Sequence, residues 1–339
     1  MSDLYFAYGS NMSAARIRER CPSAASRGAG QLRGHSLRFH KRSRDGTGKA
    51  NAFATNNADD AVFGVLFELS TEDLRQLDSF EGRDYQRLER EVERPDGARG
   101  AAWVYVAKSE AIDEQLKPSP AYLGHVLRGA REHDLPGEYR SRLWETPSTA
   151  PAGHRTLLHA FHTINDSNAL GWIALDTKVE RFALAAIATE INRSSGRVAH
   201  LELLRMDLVI LEASLAAAPK RRLDARNAQI KMRYEAKGGQ LFDFAPEQGT
   251  QLEYLGGELN NDLLKLEQGR GAGLFFLVEA EDPSRHLKYY KGLRCTIDDA
   301  VSVLQKNVSN GVLVASETID CGLVDGTLVK IHLCVFDRK

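Results

Sequence analysis

The chain has 339 residues, 42% of them hydrophobic and 27% charged, with a formal net charge of −1. That length suggests two domains, each able to bury its own core, and the near-zero balance supplies no bulk attraction toward nucleic acid or an anionic membrane surface. Cys21, Cys295, Cys321 and Cys334 form no Cys-x-x-Cys pair, so neither a disulfide framework nor a cysteine zinc site is expected, and a reducing, cytoplasmic compartment fits best. The first residues carry no basic, apolar leader and no apolar run reaches bilayer length, so neither secretion nor a membrane span is expected.

In chain order, residues 4–8 predict a strand and 13–20 a short helix stopped by Cys21-Pro22. His35, Leu37 and Phe39 alternate with polar neighbours, the period of a half-buried strand, and 62–67 is an apolar run of strand length. Ser70-Thr71-Glu72-Asp73 is a capping-box pattern opening a helix with Leu74 and Leu77 on one face, closed by Gly82. Residues 102–106 predict a strand, and 120–134 a helix with Leu123, Val126, Leu127 and Ala130 sharing a face. Many short strands with few helices indicate α+β, arranged as a small barrel.

Residues 145–154 hold two prolines, a glycine and small polar residues, and read as a linker. The expected organisation is a first domain over 1–144, a linker over 145–154 and a second α+β domain over 155–339. In the latter, Val179, Phe182, Ala183, Ala186, Ile187 and Ile191 recur at helical spacing after Asp176 and before Gly196. Residues 201–217 suit a helix or a strand, and their length favours a helix. Residues 223–237 and 252–268 also read as helices, followed by a strand at 273–280, a helix at 297–308, and strands near 312–319 and 327–336.

Two features could carry chemistry. Tyr8-Gly9-Ser10-Asn11 lies between a strand and a helix. Glycine there lets a ligand approach the backbone, and the N–H groups that follow suit an anion; an ordinary capped turn has the same pattern. Glu81 closes the helix that begins at Ser70. A helix C-terminus and an apolar neighbour such as Phe80 would raise its pKa, as a general base requires; a solvated surface glutamate is the bland alternative.

Taken together, the segments are more specific. Residues 5–12, Cys21-Pro22-Ser23-Ala24, the Leu-Asp-x-x-Glu-Gly frame at 77–82, the strand from Tyr85 to Val92, and Pro118-Ser119-Pro120-Ala121-Tyr122 continuing to Leu135-Pro136-Gly137-Glu138-Tyr139 resemble, in order and spacing, the γ-glutamylcyclotransferase family over roughly residues 3–143. The resemblance implies a mixed barrel-like fold, no cofactor and no metal. It also implies cyclisation of a small-molecule γ-glutamyl compound: the α-amino group attacks the γ-carbonyl, releasing 5-oxoproline and an amino acid or amine. It assigns Glu81 as the general acid/base, the backbone of Gly9, Ser10, Asn11 and Met12 beside Tyr8 as the glutamyl cradle, and Tyr105 and Tyr122 as further site residues. Lys41, Arg42 and Lys49 lie in a basic, glycine-containing stretch that would either contact an anionic substrate or stay solvated; solvation is favoured.

Residues 155–339 resemble no family. His159 and His162, near Asp166, lack an obvious third metal ligand and read as structural. Lys220, Arg221, Arg222, Arg226, Lys231, Arg233 and Lys237 suggest a polyanion surface or, preferably, a solvated amphipathic helix. Glu235-Ala236-Lys237 is a weak nuclease-like fragment. Competing readings are a non-catalytic binding or regulatory protein, and a main activity on nucleic acid in the second half. A homodimer through the second domain is one further expectation.

Overall fold

The computed structural model describes residues 2–55, 57–164, 179–194, 198–202, 207–211, 226–233, 259–261, 263–264, 271–280, 297–324 and 327–339. The chain divides into two compact units, Met1–Thr163 and Ile164–Lys339.

In the first unit five strands close a barrel in the order β1 (Ser2–Ala7), β5 (Ala61–Ser70), β2 (Ala25–Arg33), β6 (Tyr85–Glu93) and β7 (Arg99–Ala107). Neighbours are antiparallel except β1 and β7, which meet in parallel with Tyr5 opposite Trp103. Paired with β1 along one edge and β2 along the other, β5 buries Val62, Val65, Leu66, Phe67 and Leu69. A strand covered on both faces has no polar face to alternate, which explains its unbroken apolar run. Phe6, Leu32, Val62, Leu66, Val92 and Val104 form the core. A separate hairpin, β3 (His35–Arg42) and β4 (Gly48–Ala54), contributes Ala50 and Ala52 to it.

Helix α1 (Ala14–Arg20) follows β1 after a 3₁₀ turn at Ser10–Met12. Helix α2 (Thr71–Glu81) starts where predicted, with the Ser70 side chain accepting from the Asp73 N–H. Asp73 in turn accepts from the backbone N–H of Ser23, at 2.7 Å, and from its hydroxyl. The Cys21-Pro22-Ser23 stretch is thus a brace for the N-terminus of α2. At the other end Gly82 has φ 72°, a left-handed conformation that costs glycine nothing and stops the helix. Helix α3 (Pro120–Glu132) has Ser119 as its cap and proline in its first turn, and buries the predicted Leu123, Val126, Leu127 and Ala130. Helix α4 (Gly137–Trp144) follows and packs Tyr139 on Phe63 of β5, with ring centroids 5.1 Å apart.

The first unit does not end at 144. Helix α5 (Arg155–Thr163) buries Leu157, Leu158 and Phe161 and belongs to it. Arg128 and Arg131 of α3 donate to the carbonyls of His162, at 2.8 Å, and Thr163, at 3.3 Å, satisfying carbonyls that a helix C-terminus leaves free. The stretch 145–154 is tied down as well: Ser148 is buried and bonded to His159 Nε2 at 3.0 Å, and the Thr149 N–H donates to the Pro118 carbonyl. Proline and glycine content marked irregular backbone correctly, but backbone irregularity does not imply a free linker. The boundary lies at 163/164.

In the second unit, a six-stranded mixed sheet runs β12 (Gly311–Val324), β13 (Thr327–Arg338), β11 (Gly271–Ala280), β10 (Arg226–Arg233), β9 (Asp207–Leu211) and β8 (Val198–Glu202). Among the described strands of this sheet, only β10 and β11 pair in parallel. Helices α6 (Val179–Ser194) and α7 (Ile297–Asn307) match the predicted ones. Two helix expectations are corrected. Within 201–217, β8 ends at 202 and β9 occupies 207–211, where Val209-Ile210 is a β-branched pair suited to a strand. Within 223–237, β10 follows the two-residue alternation of Ala228, Ile230 and Met232 rather than a helical stripe. Arg226, Lys231 and Arg233 are therefore strand residues; Asp166, Asp176, Gly196, Lys220, Arg221, Arg222 and the Glu235-Ala236-Lys237 fragment lie outside the described residues. Of the helix expected over 252–268, only 259–261 and 263–264 are described, and these are helical. No helix among the described residues is long and apolar enough to cross a membrane.

Candidate active site

The loop after β1 is clamped from two sides. A Cβ on Gly9 would lie 3.0 Å from the Tyr122 hydroxyl and 3.1 Å from Ala50, so glycine gives the chain an unforced passage between α3 and β4. On the next turn Met12 is fully buried, and a Cβ on Gly129 of α3 would fall 2.4 Å from its backbone and side chain. The N–H groups of Ser10 and Asn11 open the 3₁₀ turn and so have no acceptor within it. Ser10, Asn11 and Gly9 line a cavity of about 450 Å³ in the first unit. Met12 does not line it; its place is the packing beneath α3.

Glu81, the last residue of α2, opens into the same cavity with its side chain 15% exposed. Asn11 Nδ2 donates to Glu81 Oε1 at 2.9 Å and to the Tyr5 hydroxyl at 3.0 Å. Arg20 Nη1 donates to Asn11 Oδ1 at 3.0 Å and lies 3.7 Å from Glu81 Oε1. Burial raises the Glu81 pKa above the usual carboxylate value, opposed by Arg20, the Asn11 hydrogen bond, Lys41 and Arg16. Phe80, 50% exposed with the Arg20 guanidinium 5.3 Å from its ring centre, lines the same cavity as Glu81.

Tyr5, Tyr8, Tyr85, Tyr105 and Tyr122 all line the cavity. Their hydroxyls are committed. Tyr8 donates to the Tyr105 carbonyl, Tyr85 to the Ala50 carbonyl at 2.6 Å and Tyr105 to Asp78 Oδ1 at 2.7 Å, while Tyr122 accepts from the Ala50 N–H at 3.1 Å. Burial raises the pKa of each, so all stay neutral donors near neutral pH. Tyr105 and Tyr122 thus line the cavity together with Tyr5 and Tyr85.

The cavity's charges come from α1 and the hairpin. Arg16 donates to Ser10 Oγ at 3.1 Å and to His125 Nε2 at 3.3 Å. Arg16 and Arg20 are four residues apart on one helix, so they share a face, a signal that spacing alone could have revealed. Lys41 is only 8% exposed, 3.5 Å from Asp84 and 5.0 Å from the Tyr85 ring centre. Lys49 bonds Asp45 at 2.8 Å and lies 4.6 Å from the Tyr122 ring centre. Both line the cavity, which corrects the solvated reading of this segment for them. Arg42, 58% exposed and paired with Asp113, keeps that reading. His159 and His162 are buried in α5, away from this cavity's lining, and no group of metal-binding residues occurs among the described residues.

In this closed barrel the clamped loop faces a carboxylate of raised proton affinity inside a tyrosine-walled cavity that Arg16, Arg20, Lys41 and Lys49 also line. A family model described as AIG2-like matches residues 61–143. Gamma-glutamylcyclotransferase of Homo sapiens is 32% identical over 148 residues, covering 42% of this chain and 77% of that protein, and the Bos taurus protein of the same name matches to the same extent. A solved structure titled gamma-glutamyl cyclotransferase is 30% identical, covers 45% of this chain and 92% of its own, and has a TM-score of 0.42. Through its first unit, the chain belongs to the γ-glutamylcyclotransferase family.

Proposed function

We propose that the first unit cyclises a γ-glutamyl compound, releasing 5-oxoproline and an amine. The observation that carries this reading is Glu81: a carboxylate with raised pKa, bonded to the loop residue Asn11 at 2.9 Å, in a cavity of about 450 Å³, a volume within the range of small-molecule sites. The backbone of residues 9–11, which lines the cavity, receives the glutamyl carboxylate. The α-amino group attacks in its neutral form, its ammonium proton having passed to solvent, and Glu81 takes one of its two remaining protons as the nitrogen bonds the γ-carbonyl carbon. The new C–N bond closes a five-membered lactam, the bond to the leaving nitrogen breaks, and Glu81 returns the proton to that nitrogen. Nucleophile and electrophile are on one molecule, so the protein's contribution is to hold the chain folded back and to move the proton.

Tyr8, Tyr105 and Tyr122 act as walls and neutral dipoles, and the barrel core beneath keeps them in place. Of the two hairpin lysines that line the cavity, Lys49 takes a carboxylate on the leaving portion. The test is 5-oxoproline release from γ-glutamyl amino acids, γ-glutamylamines and glutathione by the full chain. Glu81→Gln should keep its fold and lose about 10²–10⁴-fold in rate; full activity in that variant ends the assignment.

A further inference from the structure

We infer that Arg20 is a positioning residue, which orients the Asn11 amide toward Glu81 and stabilises the ionised form of that carboxylate. The inference rests on the proposed role of Glu81. An amide side chain is nearly symmetric, and its two ends are told apart only by their partners. Here Asn11 is bonded at both. Arginine has only donors, so the Asn11 atom 3.0 Å from Arg20 Nη1 is the oxygen. The nitrogen then faces Glu81 Oε1 and the Tyr5 hydroxyl. With the amide reversed, an oxygen would oppose the carboxylate. Arg20 therefore selects the orientation in which Asn11 donates to Glu81.

The charges around Glu81 give Arg20 a second effect. Arg20 and Arg16 face it from α1, and Lys41 from β3; from β1, β6, β7, α3 and the loop come Tyr5, Tyr85, Tyr105, Tyr122 and Tyr8, whose burial keeps them neutral. Arg20 is the first of the groups opposing the burial of Glu81 and the one in ion-pair contact with it. Its side chain is 20% exposed and lies along Phe80, so the guanidinium is fixed rather than swinging in solvent.

The experiment is a carboxyl ¹³C NMR titration of the full chain, with Glu81→Gln marking the Glu81 signal, alongside pH profiles of 5-oxoproline release. In Arg20→Gln the Glu81 midpoint should rise and the rate on the acid limb should fall about tenfold at fixed pH, with KM little changed. Arg20→Lys should return most of the titration but only part of the rate, because one ammonium cannot reproduce the planar fork. An unchanged Glu81 midpoint in Arg20→Gln overturns the inference. So does a loss confined to KM that lysine fully restores, which would make Arg20 a substrate ligand. If Arg20→Gln does not fold, wild-type rate and pH profile in Arg20→Lys overturn it. Should Glu81→Gln stay fully active, the cyclisation reading falls while the NMR titration still decides the effect of Arg20.

Discussion

Asn11 and Glu81 are 70 positions apart in the chain and 2.9 Å apart in the fold, joined by a hydrogen bond from amide to carboxylate. One sits on the clamped turn after β1, the other at the last residue of α2. Anything that shifts the loop against the helix end acts on both the cradle and the base.

The cost of burying Glu81 can be read as stability. Its pKa is raised in the fold, so the folded chain keeps that proton to a higher pH than the unfolded chain does. Its contribution is therefore most favourable below the unfolded value and is lost as pH rises through the folded one. Glu81→Gln removes this loss, and its melting midpoint at pH 7–8 is expected to equal or exceed that of the unsubstituted chain. A midpoint several degrees lower would show that the contacts with Asn11 and Arg20 outweigh burial.

His125 has the opposite sign. Burial, reinforced by Arg16 and Arg128, lowers its pKa to about 3. The neutral ring stabilises the fold fully above its ordinary value of 6.5, and this is lost progressively as pH falls toward 3. Thermal denaturation of His125→Gln should lose less of its midpoint between pH 7.5 and pH 5 than the unsubstituted chain; equal losses would contradict a buried neutral histidine.

Gly129→Ala tests the clamp on the loop. The added methyl would meet Met12 at 2.4 Å and the Ser13 nitrogen at 2.5 Å, backbone that cannot yield cheaply. Overpacking of this kind costs about 1–3 kcal/mol. The expected result is lower stability in urea and a raised KM, because α3 and residues 9–12 must part. Unaltered KM in a folded variant would disconnect the clamp from substrate binding.

Lys49→Ala examines the hairpin's side of the cavity. Losing one hydrogen bond to a charged group is worth about 1.5–3 kcal/mol, so kcat/KM should drop roughly tenfold or more for substrates whose leaving portion has a carboxylate. γ-Glutamylamines, lacking that group, should be spared. Equal losses for both classes would place Lys49 on the glutamyl moiety instead.

The revised boundary is also testable. Leu157, Leu158 and Phe161 are at most 4% exposed, and burying each contributes about 1.5–3 kcal/mol. A chain ending at 163 should melt cooperatively and well above one ending at 150; indistinguishable midpoints would restore the linker reading.

What the amino-acid sequence determined by itself was local. Ser70 with Asp73, Ser119 with Pro120, and Gly82 place the ends of α2 and α3, because capping involves neighbours a few residues apart. Arg16 and Arg20 share a face for the same reason. Periodicity also separated α6 and α7 from their surroundings, but misread β9 and β10, where an apolar run and a basic stretch fit two periods and pairing in the sheet selected the strand. The site was legible only in part: the resemblance pointed to Glu81, the 9–12 loop, Tyr105 and Tyr122. It did not show Lys41 and Lys49 turned inward, Met12 withdrawn beneath Gly129, or α5 capped by Arg128 and Arg131. Only tertiary structure decided those. Periodicity states which face of an element is apolar, but not which other element covers it, and closing β1 on β7 is what brings the loop, the helix end and the hairpin around one carboxylate.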